Sequence, residues 1–337
     1  MRFGLALPHY DFSLPEGEPI SFRRLAEHAQ RAERLGFDSV WVSDHLFYTF
    51  ARYGAGDRVF GSLEPLTALA GVAALTERVR IGSLVLCSPF RHPALVAKMA
   101  TTIDGISGGR LDLGVGAGWL EEEFVAFGYG FGSLGERFGQ LEETLRVLAA
   151  LFGDEPATID GGGVRLREAR ILPEPVQKPR PPIWLGGKGG DRLLRLAARY
   201  ADGWNTVWRW SVPEYAKRVA AVRRACESEG RDPSTFRLSV GLYSLIAEDE
   251  GGVSALFEEG RNVFPGRAMD AETLETWRAD TLSGTPEQVI GRVREFEALG
   301  VEELIISPWV LPFSVPKPRM LDLWAESVIA PMSAGSA

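Results

Sequence analysis

Residues 181–207 read PPIWLGGKGGDRLLRLAARYADGWNTV, and this stretch decides the fold class. Ile183, Trp184 and Leu185 form a short apolar run, the pattern of a strand buried on both faces. Four glycines surround Lys188, a helix begins near Asp191, and Gly203 to Val207 reads as the next strand. That is one βα unit leading into a parallel strand. Outward from it the same alternation fills the chain, with strands predicted at 2–8, 38–43, 79–86, 110–116, 182–186, 203–207, 236–246 and 303–307. Helical spacing lies between them, as in 21–35, where Leu25, Ala29, Ala32 and Leu35 share one face. Ser211 with Glu214, and Thr285 with Gln288, fit capping boxes, while Gly36 and Gly300 follow helix ends. Eight units suit a closed (β/α)8 TIM barrel better than an open doubly wound sheet, although periodicity alone admits both.

No composition shift marks a second domain, so residues 1–337 are expected to form a single TIM-barrel domain. Two insertions interrupt the rhythm. One, after strand four, spans about 153–181 and carries a hairpin turn at Gly161-Gly162-Gly163 and a Pro-rich connector. The other, after strand seven, spans about 247–284, where barrel insertions cover the mouth. The formal net charge of −8 carries no basic stripe, which argues against nucleic acid as a partner. No apolar run approaches the length of a membrane span, and MRFGLALPHY reads as a strand rather than a signal peptide. Cys87 and Cys226 stand far apart and read as inert thiols in a reducing cytoplasm. Four scattered histidines offer no metal-ligand spacing, so no metal is expected.

In a barrel the chemistry collects where strands end at their C-termini. There the sequence places His9 and Tyr10; then Ser43-Asp44-His45 and an aromatic loop over 46–60; then Leu84-Val85-Leu86-Cys87. Gly116, Gly118 and Trp119 follow strand four, Gly186, Gly187, Lys188, Gly189 and Gly190 follow strand five, and Thr206 and Trp208 close strand six. Aromatic faces and close backbone suit a large flat ligand. Amides at a glycine-rich helix start, with Lys188 nearby, suit its phosphate. Asp44 and His45 are the acid/base candidates. His92 reads as a helix cap, and Glu121-Glu122-Glu123 as a solvated helix start. Gly130 to Gly135 matches GxGxxG but follows a helical turn rather than a strand, so it reads as a loop.

The segments MRFGLALPHY, LGFDSVWVSDH, ERVRIGSLVL, GGRLDLGVGAGWLEEEF, PPIWLGGKGGDR and GVEELIIS, in this order, resemble the luciferase-like monooxygenase superfamily, and within it the F420-dependent oxidoreductase branch. The resemblance implies a barrel, a homodimer, and the deazaflavin coenzyme F420 as hydride carrier for a small-molecule substrate, with FMN the alternative. It implies a non-proline cis peptide aligned with Leu84–Val85, on a bulge beneath the coenzyme's central ring. It aligns the phosphate loop with Gly186 to Gly190 and the active-site histidine with His45. F420-dependent sugar-phosphate dehydrogenases carry a glutamate directly after the strand-four glycines, where this chain has Trp119, so a sugar phosphate is a poor expectation and an apolar or aromatic substrate a better one. Three activities are consistent with these residues: hydride transfer with F420, a two-component FMN monooxygenase, and a coenzyme-binding protein without turnover.

Overall fold

The computed structural model describes residues 1–15, 18–266 and 268–334. Eight strands form the centre: β1 (Arg2–Ala6), β2 (Ser39–Val42), β3 (Arg80–Ser83), β4 (Leu111–Gly116), β5 (Ile183–Gly186), β6 (Gly203–Trp208), β7 (Arg237–Tyr243) and β8 (Val301–Ser307). Each pairs in parallel with the next, and β8 pairs with β1, so the sheet closes and the open alternative falls. Helices between consecutive strands pack outside the ring. The first, Phe22–Arg34, turns Leu25, Ala29 and Ala32 inward, and Ser21 caps it by accepting from the Arg24 amide.

The N-terminal end of the barrel is plugged. Trp41 lies against Gly82, where an added Cβ would sit 2.3 Å from its ring, and its Nε1 donates to Ser39 at 2.7 Å. Ser39 and Arg2 both bond Glu303, which is fully buried, and Arg80 pairs with buried Asp112 at 2.6 Å. Burial pushes the Glu303 carboxyl above its ordinary range. These charges have partners and face away from the mouth, so they hold the floor together and leave the chemistry to the other end.

Local expectations fare unevenly, each for a physical reason. Strand three does not run unbroken to residue 86. It stops at Ser83, the Leu84–Val85 peptide is cis, and Leu86–Cys87 resumes pairing with β4. Strand seven ends at Tyr243 because Ser244 and Leu245 turn to bond the returning segment at Leu282 to Gly284. The Gly161 to Gly163 turn joins the antiparallel pair Ala157–Ile159 and Leu166–Ala169. The 247–284 insertion folds into helices Glu250–Val263 and Leu274–Ala279. Ser211 accepts from the Glu214 amide without the reciprocal half of a box, whereas Gln288 does reach back to the Thr285 amide at 3.0 Å. His92 caps helix Pro93–Ser107; of the Gly130 to Gly135 stretch, 130–133 is loop after helix Glu121–Ala126, as expected, but Leu134 and Gly135 already open helix Leu134–Leu151, which Ser133 caps.

Candidate active site at the barrel mouth

Three consecutive residues after β2 each have their own anchor. Ser43 sits between His9 and Tyr10. His9 Nδ1–H donates to the Leu7 carbonyl at 3.0 Å, which leaves Nε2 to accept from Ser43 Oγ at 3.0 Å, and the Tyr10 hydroxyl bonds the same Oγ. Burial brings His9 down to a pKa of about 4, so it is neutral, and holds Tyr10 protonated. Asp44 accepts from both Arg91 nitrogens, at 2.5 and 3.0 Å, and from the Cys87 amide at 2.8 Å. His45 Nδ1–H donates to Glu123 at 2.9 Å, and the second Glu123 oxygen takes the Leu46 amide at 2.7 Å.

This corrects two expectations. Asp44 is not free for acid–base work: its carboxylate accepts from Arg91 and the Cys87 amide, where it ties the strand-two loop to the strand-three bulge. Glu123 is not solvated with Glu121 and Glu122. It is 1% exposed and is the carboxylate that orients His45. The carboxylate fixes the proton on Nδ1 and leaves Nε2 as the basic nitrogen. Burial near Asp44 and Glu123 pushes the Cys87 thiol up, so it stays protonated.

Next to this wall lies the bulge. The Val85 side chain fills space that three other residues vacate. A Cβ on Gly116 would lie 2.7 Å from Val85 Cγ2, one on Gly186 would lie 2.7 Å from Cγ1, and one on Gly114 would lie 2.8 Å from Cγ1. Leu84, Val85, Gly116 and Gly186, chosen from distant parts of the chain, are thus brought together at one place. Gly118 has a different setting: a Cβ there would meet Cys87 Sγ at 2.6 Å and the Phe124 ring at 2.8 Å, so it packs the loop against buried neighbours. Trp119 stands at the rim, with its ring edge-on to His45 at 5.5 Å and near Tyr48 at 6.1 Å.

After β5 the chain turns through Gly187 and Gly189, the latter at φ +75°, and enters helix Asp191–Tyr200 at Gly190, which no side chain caps. The amides of that first turn are free to meet an anion. The Lys188 ammonium donates to the Val207 carbonyl and lies 5.2 Å from the Trp210 ring centroid. Burial lowers its pKa. Thr206 is buried and accepts from Trp210 Nε1 at 3.0 Å. Tyr10, Phe12, Tyr48, Phe50 and Phe313 pack ring against ring behind this rim, all but Phe12 buried. Sequence reasoning named Ser43, His9 and Tyr10 on the rim without joining them, and passed over Glu123 because the run Glu121-Glu122-Glu123 reads as a solvated helix start.

The C-terminal end of the closed parallel barrel thus carries an oriented histidine, a glycine-backed bulge and an uncapped helix start. The chain belongs to the luciferase-like monooxygenase family, whose profile matches residues 1–303. An F420-dependent glucose-6-phosphate dehydrogenase of Amycolatopsis mediterranei is 34% identical over 310 residues, 86% of this chain and 89% of that protein. An FMNH(2)-dependent dimethylsulfone monooxygenase of Pseudomonas putida is 28% identical over 306 residues, 83% of this chain and 80% of that protein. The solved structure of an F420-dependent secondary alcohol dehydrogenase in complex with an F420–acetone adduct shares the fold, with a TM-score of 0.78 at 21% identity, covering 98% of each chain. No helix among the described residues is long and apolar enough to cross a membrane.

Proposed function

We propose that this chain is an F420-dependent oxidoreductase that moves a hydride between the deazaflavin and an apolar or aromatic alcohol or its carbonyl counterpart. The observation that carries the reading is His45, held by buried Glu123 beside the Val85 bulge. The residues present fit the coenzyme. Gly116 and Gly186 leave backbone rather than side chain around Val85, so Leu84 and Val85 would support the ring, with Gly118 and Thr206 shaping the walls behind it. The amides of Lys188, Gly189 and Gly190 and the uncapped helix start would hold the phosphate, with the Lys188 ammonium adding charge beside them, while Gly187 fixes the turn by donating its own amide to the Asn205 carbonyl. When bound, the deazaflavin supplies a carbon that accepts or gives hydride.

The chain's own residues handle the proton. Nε2 of His45 takes the substrate hydroxyl proton in oxidation and returns it in reduction, while Glu123 stabilises the imidazolium that forms. Trp119, Tyr48 and Tyr10 exclude water from that proton. Trp119 also stands where the sugar-phosphate enzymes carry a glutamate, so glucose 6-phosphate is not the substrate of this reading. A second reading, reduced FMN with oxygen, rests on the dimethylsulfone monooxygenase relative and on a phosphate loop that either coenzyme satisfies. The oriented His45 weighs against a binding protein without turnover.

We place the enzyme in the cytoplasm, as a homodimer of single barrel domains. Both cysteines are free and buried, and Val125, Phe127 and Leu134 expose apolar surface to a second copy. Titrating the purified protein with F420 and with FMN, followed by fluorescence, tests the coenzyme. Saturable F420 binding with FMN ignored supports the reading, and the reverse order of affinities overturns it.

A further inference from the structure

We infer that Arg52 selects substrates carrying a carboxylate, held at the rim while the reacting carbon faces His45. The inference rests on the oxidoreductase reading and adds a substrate class to it. Arg52 lies in the short turn Ala51–Tyr53 of the mouth loop. Its guanidinium is 4.8 Å from the Trp119 ring centroid and 5.3 Å from that of Tyr53. Trp119 in turn stands edge-on to His45, so the cation is one ring removed from the proton-handling nitrogen.

Cation–π attraction to ring faces satisfies the charge of a guanidinium only in part and asks for none of the five N–H groups as conventional hydrogen-bond donors. Among the described residues none of those N–H groups meets an acceptor, and no carboxylate pairs with Arg52. Other cations at the mouth are committed: Arg91 to Asp44 and Glu64, Arg209 to Glu272 and Asp280, Lys188 to the Val207 carbonyl. The same loop adds Arg58, stacked 4.6 Å from the Phe60 centroid, against a single acidic residue, Asp57. A chain of net charge −8 repels anions at long range, so a local cation at the opening is what would admit one. A planar fork with free donors fits a carboxylate through two parallel hydrogen bonds, and the rings that hold it reduce the ordering cost of binding. The side chains between Arg52 and His45 are the rings of Trp119, Tyr48 and Tyr53, so the ligand has an apolar body with the acid at its far end.

The test is a matched pair, 4-(1-hydroxyethyl)benzoate and 1-phenylethanol, titrated calorimetrically into wild type, Arg52→Met and Arg52→Lys, with and without F420. In wild type the benzoate binds about tenfold tighter than the neutral alcohol, a difference that narrows as salt rises. The ratio falls to about one in Arg52→Met and stays intermediate in Arg52→Lys, which keeps the charge and loses the fork. Equal affinities in wild type, or a ratio that survives Arg52→Met, overturns the inference. F420 affinity is read in the same samples. Failure of F420 to bind while the ratio depends on Arg52 supports the anion site and sinks the coenzyme reading alone.

Discussion

Glu123→Gln removes one charge and keeps the shape of the side chain. The carboxylate accepts from two donors, His45 Nδ1–H at 2.9 Å and the Leu46 amide at 2.7 Å. A carboxamide accepts through its oxygen only and presents N–H at the other position, so one donor then faces another. Glu123 is 1% exposed, so water offers no replacement partner. A hydrogen bond to a charged group contributes about 1.5–3 kcal/mol, and a factor of ten in rate is about 1.4 kcal/mol. Two effects follow. Folding stability falls by about 1–3 kcal/mol in chemical denaturation. The rate constant kcat falls roughly 10- to 100-fold, because the imidazolium formed in alcohol oxidation loses its counter-charge. Glu123 lies behind His45 rather than beside the substrate, so KM moves by less than about twofold if the role is orientation of the proton carrier. The assay is steady-state reduction of F420 by an alcohol substrate at a temperature where thermal melts show the variant folded. A kcat within about twofold of wild type under those conditions refutes the positioning role. So does a loss that falls wholly on KM.

Two further outcomes follow from other parts of the mouth. Gly186→Ala places a methyl 2.7 Å from Val85, so it lowers stability by about 1–3 kcal/mol and weakens F420 binding; a variant with wild-type melting and wild-type titration curves contradicts the packing argument. His9, at a folded pKa of about 4 against 6.5 when unfolded, takes up its proton in the unfolded chain first. Its contribution is therefore intact above pH 6.5 and is lost as pH falls toward 4, by up to about 3 kcal/mol. His9→Gln cannot titrate and flattens that part of the stability profile; denaturation midpoints at pH 7 and pH 4.5 that differ equally in both proteins would disprove it.

The barrel was legible because a strand buried on both faces leaves a continuous apolar run, and eight such runs with helical spacing between them admit few arrangements. Residues 182–186 and 203–207 were read within a residue of β5 and β6. Strand three was read too long because Leu84-Val85-Leu86 is as apolar as a strand, and only the turned peptide interrupts it. The site was legible where it follows strand ends, as at His45 and Gly186. It was misread where side-chain direction decides. Asp44 and His45 are neighbours in sequence, but successive side chains in extended backbone point opposite ways. One meets Arg91 and the other meets Glu123, 78 residues away. Nothing local separates Glu123 from Glu121 and Glu122, since which face of that short helix meets β2 is set by tertiary packing. The hold of Lys188 on the Val207 carbonyl is likewise a matter of where the end of β6 lies.

Val85 and the three glycines around it have a consequence for how this protein can change. The valine methyls and the missing β-carbons at 116 and 186 share one volume, while 114 is held to glycine by the Ser83 carbonyl oxygen 2.0 Å from where its β-carbon would lie, so neither 116 nor 186 can gain a side chain while 85 stays valine. A larger residue at 116 or 186 demands a smaller one at 85, and the reshaped bulge then presents a different surface to whatever ring rests on it. Divergence at this spot therefore proceeds by compensated pairs rather than single steps. Coenzyme preference in such a barrel would be inherited as a linked group of residues.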